Sequence, residues 1–137
     1  MSFLRSARAY ILVVALLSGC AGGRAVLPDG AAAVLDRLYF GRAMPGGQEV
    51  SEEGWRTFLR ESITPRFPEG LTCWPADGQW RDSTGTIVRE RSFVLELLHD
   101  GAPARDSAIR IIITDYRSRF QQEAVLWMRG AVSVRFD

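Results

Sequence analysis

Two apolar stripes of helical period limit what this chain can fold into more than any other feature. Trp55, Phe58, Leu59 and Ile63 recur along one helical face. Ile109, Ile112, Ile113, Tyr116 and Phe120 fall at offsets 0, 3, 4, 7 and 11 along another. The second stripe decides a local ambiguity. Ile111-Ile112-Ile113-Thr114 alone reads as a strand, but the wider window reads as a helix over 104–121. The first helix should start at Ser51, whose hydroxyl can cap a free backbone N–H. Glu52 and Glu53 follow in the turn that the helix dipole favours for acids, and Val50 and Trp55 stand at staple positions. Thr64-Pro65 should end this helix.

The segments around the stripes alternate with period two. Leu35–Phe40 reads as a strand, with Leu38 and Phe40 on one face and Arg37 and Tyr39 on the other. Gly41–Gln48 reads as a loop. Leu71–Trp74 is a second strand, which Pro75–Gly78 can break and Gln79–Arg81 can resume. Ile87–Leu98 is a third. Val125–Met128 and Ala131–Phe136 form a final bent strand or hairpin. The order β-α-β-β-α-β predicts an α+β domain of the ferredoxin-like split type, an antiparallel sheet with two helices on one face. Tyr39, Trp74, Leu98 and Trp127 do not fit easily on the helix side, so the helix-free face is expected to mediate a homodimer.

Before the domain, Arg5 and Arg8 precede an apolar run, Tyr10–Leu17, that is too short for an ordinary membrane span. Leu17-Ser18-Gly19-Cys20 follows and resembles a bacterial lipobox. Residues 1–19 then read as a signal peptide, Cys20 as the lipid-attachment site, 20–33 as a small-residue tether and 34–137 as a single domain. The membrane partner is reached through lipid on Cys20. Ala21, rather than Asp, favours the outer over the inner membrane, with the domain facing the periplasm.

Removing Arg5 and Arg8 leaves 15 arginines against 16 acids, with no lysine and no basic run. That balance excludes nucleic acid as the main partner. Cys73 is left without a cysteine partner, so no internal disulfide is expected and a buried thiol is the simplest reading. One histidine, His99, and scattered carboxylates build no standard zinc site, so no metal or cofactor is expected. Ser92, His99 and Asp100 lack a nucleophile elbow. Glu69 and Glu90 are two carboxylates with nothing to fix their separation.

The best polar cluster is Arg66, Gln79, Trp80, Arg81, Arg89 and Glu90, beside the proline-rich link 64–70. Arg66 and Glu90 are expected to pair in a common cleft near Trp80, because a guanidinium fork meets both carboxylate oxygens. The ligand-binding candidates are Tyr39, Arg66, Gln79, Trp80, Arg81 and Glu90; no catalytic residue is singled out.

Several motifs, taken together, carry a family resemblance. They are Leu38-Tyr39-Phe40-Gly41, Val50-Ser51-Glu52 with Trp55, Thr64–Thr72, Gly78-Gln79-Trp80-Arg81, Gly85–Glu90 with Ser92, and Phe120–Leu126. The pattern resembles DUF3574, a family of small bacterial proteins of unknown function, many of them lipoproteins. It covers roughly residues 36–136, departs at Cys73-Trp74 and Phe93, and implies no activity. The reading is therefore a lipid-anchored binding or interaction module of the envelope. The alternative is a small enzyme of the dimeric ferredoxin-like kind, acting on an anionic or aromatic small molecule.

Overall fold

The computed structural model describes residues 26–81 and 83–137. The signal segment and Cys20 lie outside the described residues. Strand β1 (Ala31–Gly41) leads through a small hairpin of β2 (Ala43–Met44) and β3 (Gln48–Glu49) to helix α1 (Glu52–Phe58). Strands β4 (Thr72–Arg81) and β5 (Ile87–His99), helix α2 (Pro103–Phe120) and strand β6 (Leu126–Val134) follow. The main sheet has four strands in the order β4-β5-β1-β6, every neighbour antiparallel. Both helices cover one face, which is the ferredoxin-like arrangement.

Alternation assigns the two faces. Leu38 and Phe40 of β1 and Phe93, Leu95 and Leu97 of β5 point under the helices and are buried. They meet Trp55, Phe58 and Ile63 from the first helical segment and Ile109, Ile112, Tyr116 and Phe120 from α2. The centre is aromatic: Trp55 stacks on Phe93 with centroids 4.6 Å apart, and Tyr116 meets Phe40 edge-on at 4.7 Å. Both helical stripes thus face the core.

Local chemistry sets the element ends. Ser51 caps α1 by accepting the Gly54 N–H at 3.0 Å. After Phe58 the helix widens into a π turn over Leu59–Ile63, where the Thr64 N–H reaches the Leu59 carbonyl at 2.8 Å. Ser62 and Ile63 are both buried there, and the Ser62 hydroxyl donates to Asp115 of α2 at 2.6 Å. Gln121 ends α2 in the left-handed region, φ 53°.

Three expectations change in detail. Strand β1 starts at Ala31, inside the segment that composition marks as tether, because Ala31–Ala33 pair with Val132–Val134 of β6. Strand β4 runs unbroken through Pro75, since β4 is an edge strand and tolerates a residue without an N–H. Of the two forms open for the last segment, bent strand or hairpin, β6 takes the single strand, continuous across Gly130. Tyr39, Trp74 and Leu98 do alternate to the helix-free face, but Trp127 does not. It lies on the helix side, where its indole finds a buried carboxylate.

Candidate functional site

The helix-free face ends in a cleft where β1 finishes and the β4–β5 hairpin begins. Gly41 pairs with Ser92, and Gly78 pairs with Glu90. A cleft of about 340 Å³ is lined there by Tyr39, Gly41, Gln79, Trp80, Glu90 and Leu126, among others. An adjoining cleft of about 510 Å³ continues past Trp80 and Glu90 to Met44 of β2 and to Gln122 and Glu123 after α2. Glu90, Trp80 and Ala124 are the wall that the two share.

Glu90 is half-buried, and among the described residues its carboxylate has neither a hydrogen bond nor an ion pair. Its Oε1 sits over Gly41 so closely that any Cβ at 41 would overlap it. The side-chain oxygen of Gln122 is 3.2 Å from that same Cβ position. Gln122 is oriented by its own amide, whose Nε2 donates to the Ala43 carbonyl at 2.7 Å and to the Phe120 carbonyl at 3.1 Å. Its oxygen is therefore turned toward Glu90. Two acceptors converge on one spot, and among the described residues neither is bonded to a donor, so the spot suits a ligand group that carries donors or positive charge. Trp80 is 53% exposed beside them and offers a free ring face.

Tyr39, Gln79, Trp80 and Glu90 are thus brought together. Arg66 and Arg81 are not among the residues lining these clefts. Arg66 does not pair with Glu90. Its Nη1 donates to the Ser62 carbonyl at 2.6 Å, and its Nη2 lies 3.9 Å from Asp115. The proline-bounded link places Arg66 behind α1, on the helix side. Arg81 closes β4 and alternates to the face opposite Trp80. Glu69 is bound to Arg105 at 2.8 Å, away from Glu90, so these two do not form a carboxylate pair. Ser92 and His99 alternate to opposite faces of β5, and no triad forms.

One polar centre gives no composition signal. Asp36 is fully buried under the helices and accepts four hydrogen bonds: from His99 Nε2 at 2.6 Å, Trp127 Nε1 at 2.7 Å, and Arg129 Nε and Nη2 at 2.8 Å each. Arg129 extends to Asp106 of α2 at 2.6 Å. The Gly101 N–H donates to His99 Nδ1, which leaves the imidazole proton on Nε2, aimed at Asp36. Burial pushes the Asp36 carboxyl up, but its bonds from Arg129, His99 and Trp127 outweigh burial and hold it below the ordinary aspartate value. Every lone pair is engaged, so the centre is structural. The signal that could have found it is an aspartate at a core-facing position of β1, in phase with Leu38 and Phe40.

A family model described as "Protein of unknown function (DUF3574)" matches residues 35–136. The chain belongs to the DUF3574 family. Motifs characteristic of the DUF3574 resemblance meet at the Glu90 cleft: Gly41, Gly78–Trp80, Glu90, Ser92 and the Gln121–Ala124 turn all line its walls. No curated protein matches the chain. Among solved structures, the fold is similar to a phage SAM lyase in complex with S-methyl-5'-thioadenosine. That likeness has a TM-score of 0.55 and 14% identity, over 74% of this chain and 88% of the lyase. The phage SAM lyase in its apo state gives TM-score 0.55 and 16% identity, over 81% and 91%. At such identities the likeness establishes the fold alone.

Proposed function

We propose that this DUF3574 domain is a small enzyme acting on a molecule with a planar ring and adjacent hydrogen-bond donors, held in the Glu90 cleft. One observation carries the reading: a half-buried carboxylate and an oriented amide oxygen converge without a donor. Such a pair is satisfied by a vicinal diol, an exocyclic amine or a cationic centre. Trp80 supplies a stacking surface, which for a nucleobase is worth ~1–3 kcal/mol. The fold likeness to a SAM lyase that binds S-methyl-5'-thioadenosine supports a nucleoside thioether as the first compound class to test. A purine ring would lie on Trp80, and its ribose hydroxyls would donate to Glu90 and Gln122.

Neither histidine nor cysteine lines the cleft. Catalysis here would therefore use Glu90 to accept a proton or to stabilise positive charge, rather than an imidazole or thiolate. A binding module that retains the same ligand without turning it over is the second reading, favoured by how open the cleft is.

The mature protein should quench its tryptophan fluorescence on titration with S-methyl-5'-thioadenosine, and should consume S-adenosylmethionine in a chromatographic assay. Glu90→Gln should weaken binding about tenfold, or ~1.4 kcal/mol. Binding without turnover selects the module. Absence of binding at millimolar ligand rejects this compound class.

The envelope address belongs to the same proposal. The LSGC box after an apolar run supports lipid on Cys20 and a domain facing the periplasm, with the outer membrane favoured by Ala21. Trp74, Leu126 and Met128, exposed on the helix-free face, support self-association there, which sedimentation of the mature protein tests.

A further inference from the structure

The two ends of the sheet differ in chemistry. The Glu90 cleft occupies the end where β1 finishes. The opposite end, where β1 starts and β6 finishes, carries an apolar rim. Phe136 is 91% exposed there and Val26 68%. Leu27 and Leu98 are exposed as well, and Leu35 and Val132 line a groove with Phe136 and Leu98. The carboxylates bordering this groove are neutralised: Glu69 pairs with Arg105, and Glu96 with Arg37. Beside them, Arg135 pairs with Asp137. The groove's own carboxylates are thus paired, while Asp29, beside Leu27, is exposed and has no ion pair among the described residues.

The chain leads directly to this rim. Leu27 is fixed to β6 through its N–H to Ser133 Oγ at 3.2 Å, and Arg135 holds the Pro28 carbonyl at 3.1 Å. Only Ala21–Ala25 separate Val26 from Cys20. Even fully extended, a stretch of that length reaches roughly 20 Å at ~3.3–3.6 Å per residue. An acyl anchor on Cys20 would therefore keep the rim within reach of the lipid headgroups.

We propose that the anchor end of the domain docks on the bilayer surface, with Val26, Leu27 and Phe136 entering the headgroup region. The inference rests on the lipidation reading above. Docking turns the Glu90 cleft away from the membrane, separated from it by the length of β1, roughly 33 Å at ~3.3 Å per residue. The cleft then faces the aqueous compartment, open to a soluble substrate. Apolar side chains at an interface add to an acyl anchor in proportion to the area they bury.

The test uses the acylated mature protein in vesicles of phosphatidylethanolamine and phosphatidylglycerol, in a Cys73→Ser background. An environment-sensitive fluorophore is placed at Phe136→Cys or, as the distal control, at Ser83→Cys on the hairpin tip. Both sites are exposed, so neither variant disturbs the core. Lipids brominated near the headgroup should quench the label at 136 and leave the label at 83 unchanged. Equal quenching at both sites, or none at 136, overturns docking. A label at 136 that is shielded in the absence of vesicles, increasingly with protein concentration, shows a second copy on the rim and also overturns it. Mass spectrometry of the N-terminal peptide separates the two readings. An unacylated Cys20 removes both, whereas an acylated Cys20 with an unquenched label at 136 removes docking alone.

Discussion

The carboxylate of Glu90 occupies the space that a Cβ on Gly41 would fill. Adjacent strands thus share one volume: β1 contributes the vacancy and β5 the acid. Glycine is required at 41 for the room it leaves, not for an unusual backbone angle.

Gly41→Ala should therefore act on the site by displacing the Glu90 carboxylate directly. The obstruction is the far end of a flexible side chain, so the cost in stability should be only about 0.5–1.5 kcal/mol, that of an off-rotamer glutamate. Affinity for S-methyl-5'-thioadenosine should fall about tenfold, as for Glu90→Gln. Thermal melting and fluorescence titration of the same preparation measure the two effects. Unchanged affinity would show that Glu90 does not need its position over Gly41.

Asp36→Asn should destabilise the domain by about 1–3 kcal/mol, because the amide turns a donor toward the buried donors of His99 and Arg129, while Arg129, 36% exposed, keeps Asp106 as countercharge. Urea unfolding measures this. The pH dependence follows from the depressed Asp36 value. The stabilisation is present above the unfolded aspartate value near 3.8 and is lost as pH falls through the lower folded value. The wild-type urea midpoint should drop steeply below about pH 4, and that of Asp36→Asn should drop less. Glu69, Asp100 and Asp106 are also depressed by their partners, so the variant's profile is shallower rather than flat.

Arg66→Ala should cost about 0.5–1.5 kcal/mol, the worth of its hydrogen bond to the Ser62 carbonyl, since the ion pair to Asp115 is long and partly solvated. Ligand affinity should not change. A loss of affinity without a loss of stability would return Arg66 to the site.

Cys20→Ser should release the protein from the membrane or stall its processing, because serine has no thiol to alkylate. Metabolic labelling with a fatty acid checks it. Label on the serine variant equal to that on wild type would reject the lipobox.

Periodicity made the fold legible. The two helical stripes, the alternation in β1 and β5, and the Ser51 cap are each local patterns, and each is where the spacing puts it. Half of the site was legible for the same reason: Tyr39, Gln79, Trp80 and Glu90 lie on strands whose pairing follows from the hairpin. Arg66 was misplaced because two prolines restrict a backbone without telling which way the segment runs. Gln122 and Gly41 fall within the family motifs, but their shared contact with Glu90 depends on a loop packing against a strand end. Asp36 was invisible because its burial is tolerable only with partners contributed by β5 and β6.

Those partners are far off along the chain. His99 is 63 residues from Asp36, Trp127 is 91 and Arg129 is 93. Such a centre cannot assemble until β6, the last strand, has docked, and closing loops of that size precedes any gain from the contact. Until then the aspartate remains hydrated, its position in the sheet empty of countercharge. Interactions that form after the folding barrier slow unfolding rather than speed folding. The Asp36 centre is therefore expected to act as a late latch, slowing unfolding more than it speeds folding, which the folding and unfolding rates of Asp36→Asn measure.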